Sequence, residues 1–170
     1  MIIQKKLKRN NMDTVQQEIS TAKKYIGKLA AISVSHKKGI PKSNVATASL
    51  RQAHGIEGDA HAGDWHRQIS LLAMESIDKM RKSGLPGLRP GAFAENLTTE
   101  FLELPTLALG TKIKIGKAVE LEVTQIGKEC HAHCAIFYKV GDCVMPREGI
   151  FAKVIHAGDI SVNDEIEILQ

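Results

Sequence analysis

Along Val119–Ile126 the chain alternates apolar and polar positions with a period of two. Val119, Leu121 and Val123 fall on one side, and Glu120, Glu122 and Thr124 on the other. That spacing predicts a half-buried β-strand. The alternation recurs over Lys112–Ile115 (KIKI) and Glu165–Leu169 (EIEIL). Lys28–Ser35 (KLAAISVS) is rich in small and β-branched residues and reads as an opening strand. Gln68–Ala73 (QISLLA) is apolar enough for a buried strand, and Ala92–Thr99 (AFAENLTT) reads as a strand carrying Glu95 and Asn96. Asn44–His54 is ambiguous, with VATASL as a strand candidate.

Helical spacing is rarer. Met74–Ser83 places Ile77 and Met80 on one face, with Gly84 just past its end, and predicts a short amphipathic helix. Glu148–Ala157 (EGIFAKVIHA) also reads as a helix, with Ile150, Phe151 and Val154 inward and Gly158 as its stop. The polar run Asp13–Tyr25 predicts a surface-lying helix or an arm. Short strands, turn-rich links and few helices together predict a mainly β, barrel-like domain over 27–170, preceded by an arm over 1–26.

One loop stands apart. Gly55–Asp64 reads GIEGDAHAGD, with three glycines among Glu57, Asp59, His61 and Asp64. It predicts an exposed, tightly turning loop, either a hairpin connection or a wall whose backbone N–H groups approach a bound anion. Its spacing fits neither a Walker-type nor a dinucleotide glycine fingerprint.

Composition narrows the function classes. The formal charge of +4 suggests an anionic partner, but Lys5, Lys6, Lys8 and Arg9 account for all of it. The chain beyond them is balanced, and aromatic content of 4% leaves little for base stacking, so no nucleic-acid partner is expected. No apolar run approaches the roughly 20 residues that span a bilayer, and the basic opening leads into no apolar signal segment. Three cysteines in a chain of this length favour a reduced, cytoplasmic setting over a disulfide framework.

All three cysteines, Cys130, Cys134 and Cys143, lie between Gly127 and Ile150, with His131 and His133 beside the first. Cys130 follows directly on the clearest strand, where the chain leaves the sheet. Lys128, His131 and His133 would favour its thiolate. If the segment CHAHCAIFY is helical, Cys130 and Cys134 share a face. Three readings compete. Cys130 is a reactive thiolate that carries sulfur or binds a soft metal; or the cysteines and histidines hold zinc or an iron–sulfur cluster; or the thiols are small buried hydrophobes. The last suits Cys143 better than Cys130.

At this point the chain resembles the MOSC domain family, named for the C-terminal domain of the pyridoxal-phosphate-linked molybdenum cofactor sulfurases. The resemblance runs from about Gly27 to Leu169 and rests on the order of several segments. They are G-K-L-A-A-I-S-V-S at the start, G-I-E-G-D-A-H at Gly55–His61, R-Q-I-S-L-L at Arg67–Leu72 and G-A-F-A-E-N-L at Gly91–Leu97. L-G-T-K-I-K-I-G follows at Leu109–Gly116, then L-E-V-T-Q-I-G-K-E-C at Leu121–Cys130 and G-I-F-A-K-V at Gly149–Val154.

The resemblance implies a stand-alone β-barrel MOSC protein associated with the molybdenum (or tungsten) pterin cofactor. Cys130 falls at the family's cysteine, as a metal-binding thiolate or a persulfide sulfur carrier, with Cys134 as a candidate relay thiol. Gly55, Gly58, Arg67, Lys128 and Arg147 are candidates for the cofactor's phosphate, and Asp59, His61, Glu95 and Asn96 for the pterin. Implied partners are cofactor-biosynthesis proteins, molybdo- or tungsto-enzymes and a cysteine desulfurase. Where family members carry a proline- and arginine-containing approach to the cysteine, this chain has Ile126-Gly127-Lys128-Glu129, and it adds Cys134 and Cys143. It therefore looks more like the short subtype of cofactor maturation than like reductases of N-hydroxylated compounds, which remain the alternative beside a zinc- or iron-binding module.

Overall fold

The computed structural model describes residues 26–128 and 134–169. The expected arm or helix over Asp13–Tyr25 lies outside the described residues, as do Cys130, His131 and His133.

The strands are β1 (Ile26–Val34), β2 (Ser43–Val45), β3 (Thr47–Arg51), β4 (Gly55–Ile56), β5 (Ile69–Ala73) and β6 (Leu97–Glu100), followed by β7 (Lys112–Ile115), β8 (Val119–Ile126), β9 (Ile150–His156), β10 (Gly158–Ser161) and β11 (Glu165–Leu169). The helices are α1 (Met74–Lys82), α2 (Ala135–Val140) and α3 (Met145–Glu148), with a 3₁₀ turn at Leu104–Thr106. Strands pair in the order β11-β7-β8-β9-β5-β6-β1, and β11 pairs back onto β1, closing a seven-stranded barrel. Closure leaves no open edge among these seven. The long strand β1 makes this possible by pairing with β11 through Ile26–Lys28, with β6 through Lys28–Ile32 and with β2 through Ile32–Val34. The β5–β6 pair is parallel, and α1 lies within the connection between its strands. A smaller antiparallel sheet, β10-β3-β4, stands beside the barrel.

Two cores follow from the period of the strands. Leu29, Ile69, Leu71, Ile113, Ile115, Val119, Leu121, Val123, Ile150, Ala152 and Val154 fill the main core. On the opposite side of β5 and β9, Leu72 and Phe151 join Ile77, Met80, Phe93, Cys143, Val144 and Met145 in a second cluster. The segment after β8 is held there partly by that cluster and partly by Glu148, which accepts hydrogen bonds from Ser76 (2.5 Å) and Lys79 (3.0 Å) of α1.

The expected strands at 28–35, 68–73, 112–115, 119–126 and 165–169 and the helix at 74–83 are all present within a residue or two. The expected helix over Glu148–Ala157 is instead strand β9. Residues i and i+4 share a face in a helix and in a strand alike, so Ile150 and Val154 do not discriminate. Ala152, buried between them, does. The expected strand over Ala92–Thr99 begins only at Leu97. Before it, Ala94 takes a φ of 63° and the Glu95 carboxylate accepts the backbone N–H groups of Gly91 and Phe93, a local pattern that displaces strand pairing. Gly55–Asp64 is less exposed than expected, because Gly55, Ile56 and Asp59 are buried. Helix α2 starts at Ala135, and Cys134 before it is extended (φ −91°, ψ 173°), so Cys134 is not part of a helix.

The exit of β8 is fixed by Gly127. It has φ 73°, and a Cβ there would collide with the carbonyl oxygen of Pro146. Its N–H donates to the Gly149 carbonyl at 2.7 Å, pinning the strand end to the start of β9. Gly141 has nearly the same φ, 72°, but faces open space. Gly141→Ala is expected to cost about 1 kcal/mol of stability and Gly127→Ala at least roughly 2 kcal/mol more, read by urea unfolding. Equal costs would show that the Pro146 contact does not constrain this exit.

Candidate functional site

The Gly55–Asp64 loop is built around a buried carboxylate. Strand β4 brings Gly55 so close to β5 that an added Cβ would lie 2.8 Å from the Gln68 carbonyl oxygen, and its φ of 107° suits glycine alone. From there Gly58 turns the chain, and Asp59, 7% exposed, points inward. Its Oδ2 accepts from Lys42 Nζ at 2.6 Å, from the Ser35 N–H at 3.0 Å and from Asn96 Nδ2 at 3.3 Å. Its Oδ1 accepts from the His61 N–H at 2.9 Å. Burial opposes ionisation of this carboxyl, but the Lys42 hydrogen bond, with the N–H groups of His61 and Ser35, outweighs it and holds the pKa below the usual range. Lys42 is itself 3% exposed, so the pair is a buried ion pair.

His61 stands at the edge of this cluster. Its Nδ1 lies 3.3 Å from Asp59 Oδ1 without hydrogen-bond geometry, and this buried nitrogen has no hydrogen-bond partner among the described residues. The other side of the loop meets the loop after β1, where His36 Nδ1 lies 3.2 Å from the Gly58 carbonyl.

Farther along, Trp65–Arg67 packs on the end of β8. The Thr124 hydroxyl donates to the His66 carbonyl, and His66 Nε2 lies 3.1 Å from Gln125 Oε1. Gln125 Nε2 in turn donates to the Gly127 carbonyl at 2.8 Å. The glycine–aspartate loop and the strand end that leads to Cys130 are therefore joined through His66 and Gln125. Arg67 lies over the rings of Trp65 (4.8 Å) and Phe151 (5.5 Å).

The remaining candidates are placed differently. Asn96 is buried and its amide is committed within the protein: Oδ1 accepts from Ser70 N and Oγ, and Nδ2 donates to Ser33 O and Asp59. Glu95 is 0% exposed and takes hydrogen bonds from Gly91, Phe93 and Thr98; burial raises its pKa against those bonds. Both therefore brace the loop before β6 rather than presenting free polar groups. Arg147 is exposed and forms a two-pronged pair with Asp142 at 2.9 and 2.8 Å. Lys128 is half-buried directly before the undescribed stretch holding Cys130. Cys134 is exposed, and Cys143 is buried in the second cluster. Among the described residues no group of three or more metal-ligating side chains gathers.

Lys42 and Trp65 are the additions that sequence reasoning missed. Between Pro41 and Ser43, Lys42 belongs to no periodic run that would mark it as buried. Trp65 carried a usable signal, because it is the single tryptophan of the chain and directly follows the glycine–aspartate loop.

Removing either member of the Lys42–Asp59 pair strands the other in the interior. Asp59→Asn and Lys42→Met are each expected to lose about 3–5 kcal/mol at pH 7 by chemical unfolding. The native Asp59 pKa is depressed, so its contribution is present above the ordinary aspartate range and is lost as pH falls through and below about 4. The gap between wild type and Asp59→Asn should narrow over that interval; a gap independent of pH would refute the ionised pair.

The chain matches the MOSC domain over residues 57–167. No curated protein sequence matches it. Among solved structures it is similar to the YuaD protein of Bacillus subtilis, at 19% identity and a TM-score of 0.73, covering 86% of this chain and 97% of that one. It is also similar to YiiM of Geobacillus stearothermophilus (19% identity, TM-score 0.65, 85% of this chain and 75% of that one). For YiiM of Escherichia coli the figures are 19%, 0.60, 84% and 70%. At these identities the structural likeness speaks to the barrel alone, whereas the domain match covers most of the sequence, the Asp59 loop and the β8 exit included: the chain belongs to the MOSC domain family.

Proposed function

We propose that the protein binds the molybdenum (or tungsten) pterin cofactor and acts in its maturation or delivery through the thiol of Cys130. The MOSC family is associated with molybdenum cofactor binding. The observation that carries the reading is the junction of the glycine–aspartate loop with the exit of β8. His66 and Gln125 hold the loop against a strand end that Gly127 fixes three residues before Cys130.

The donor set fits an anionic, hydrogen-bonding group. Among the described residues His61 Nδ1 and Arg67 Nε are buried without hydrogen-bond partners, and a buried polar atom left unsatisfied is costly unless a ligand completes it. Asp59 and Lys42 act one step back, fixing the backbone from which His61 projects. When bound, the cofactor supplies two-electron chemistry at a metal for which thiolate is a suited soft ligand. The chain's own step is sulfur acceptance. The Cys130 thiolate attacks the terminal sulfur of a donor persulfide, a new S–S bond forms on Cys130, and the donor's inner sulfur leaves as a thiolate. No external oxidant is consumed. Cys134, four residues on in the sequence and exposed, is the candidate thiol to relay that sulfur. Cofactor-biosynthesis proteins or molybdo-enzymes are the partners this role requires, in the cytoplasm. Among the described residues no helix is long and apolar enough to cross a membrane.

Native mass spectrometry tests the reading on freshly purified protein and after incubation with a cysteine desulfurase and cysteine. The expected results are bound pterin or metal and one added sulfur atom, with the sulfur lost in Cys130→Ser. Protein that neither carries cofactor nor gains sulfur on Cys130 overturns the proposal. Multiple turnover of an N-hydroxylated substrate, abolished in Cys130→Ser, would replace carriage by reductase activity.

A further inference from the structure

One stretch of surface is apolar, strained and ringed by charge of one sign. Phe101, directly after β6, is 72% exposed and has a φ of 65°. A bulky side chain is rare in that left-handed conformation, where its Cβ crowds the following carbonyl. The turn is held by the Phe101 N–H, which donates to Glu75 Oε1 of α1 at 2.8 Å, and by Leu102, which is buried. The backbone is therefore strained at Phe101 while its ring belongs to neither core.

A second large apolar side chain stands beside it. Ile26, at the start of β1, is 50% exposed. Antiparallel pairing sets Lys28 opposite Glu100, and a Cβ on Gly27 would collide with Leu102, so the chain enters the barrel alongside Phe101. The fringe of this patch is acidic. Glu100 and Glu103 bracket Phe101 in the chain, and Glu75 binds its N–H. None of the three forms an ion pair among the described residues. Carboxylates around one exposed ring repel each other, and a cationic, partly apolar surface laid over them relieves both costs.

The residues that precede β1 have that character. Lys5, Lys6, Lys8, Arg9, Lys23 and Lys24 outnumber Asp13 and Glu18. Met12, Val15, Ile19 and Ala22 recur at spacings of three and four, and Ile26 continues the same register. Such spacing gathers apolar side chains into one helical stripe. Because this segment is joined to Ile26, its effective concentration at the patch is high and no second molecule is required.

We propose that the face formed by Phe101 and Ile26 is an intramolecular docking site for the N-terminal segment. The stripe from Met12 to Ala22 covers the Phe101 ring, and the basic side chains of the segment meet Glu75, Glu100 and Glu103. The docking site is independent of the cofactor reading, since it includes neither the glycine–aspartate loop nor the exit of β8.

Limited trypsin digestion of the full chain, read by mass spectrometry, tests the contact. Cleavage after Lys23 and Lys24 follows the population of undocked segment, and cleavage after Lys37 and Lys38, in the exposed loop after β1, is the internal reference. In Phe101→Asn, whose side chain suits the left-handed conformation, segment cleavage relative to the reference should rise roughly tenfold. Ile19→Ser, a change in the segment itself, should give a similar rise. Thermal melts establish that each variant is folded; if Phe101→Asn does not fold, Ile19→Ser carries the comparison. Added salt should speed segment cleavage in the wild type, and less so when Glu100→Gln and Glu103→Gln are combined. Segment cleavage equally fast in wild type and in the folded variants overturns the proposal. A wild-type dimer, by light scattering, that Phe101→Asn dissociates without changing segment cleavage also overturns it and assigns the face to a second copy of the chain.

Discussion

A carboxylate enclosed in protein has to be surrounded by donors, and those around Asp59 come from three separate stretches of chain. Ser35 and Lys42 lie in the loop after β1, His61 in the glycine–aspartate loop, and Asn96 ahead of β6. Two of them also have a second role. Asn96 grips Ser70 of β5, and the Ser35 carbonyl takes the N–H of Ala60. One buried charge thus sets the relative position of three loops at one end of the barrel. The energetic logic is asymmetric: the intact pair adds little over a well-packed apolar pair, whereas a broken one leaves a charge without solvent. The arrangement specifies geometry more than it adds stability.

The barrel contributes the other half of the site. Pairing of β11 with β1 closes the cylinder, and closure determines which strand ends are neighbours. With β8 between β7 and β9, its last residues emerge beside the start of β9 and beside Trp65–Arg67. Gly127 then turns the chain away where a side chain could not fit. The exit towards Cys130 is therefore defined from both sides, by backbone hydrogen bonding to Gly149 and by the His66–Gln125 contact.

Polar side chains near this end sort by whether their capacity is already used. Glu95 and Asn96 are saturated inside the protein, and Arg147 is neutralised on the surface. His61 Nδ1 and Arg67 Nε are buried and unsatisfied. Residue type alone made all of these equal candidates for an anionic heterocyclic ligand. Hydrogen-bond accounting separates scaffold from polar atoms whose capacity is unused.

Much of the barrel was legible in sequence, because strands exposed on one face alternate and a strand covered on both faces is continuously apolar. Lys112–Ile115, Val119–Ile126, Glu165–Leu169 and Ile69–Ala73 follow those two rules. Strand β9 was misread because its two guiding residues are four apart, a separation common to helix and strand. The start of β6 was misread because Glu95 bonds its own backbone. The sequence by itself determined most of the barrel's strands, the glycine-bearing loop and the cysteine segment, since each is encoded in local period or composition. The burial of Lys42 against Asp59, the buried, unpartnered Nε of Arg67 and the junction of the loop with the end of β8 were decided only by the tertiary structure. Desolvation and hydrogen-bond satisfaction depend on residues distant in the chain, and no local pattern records them.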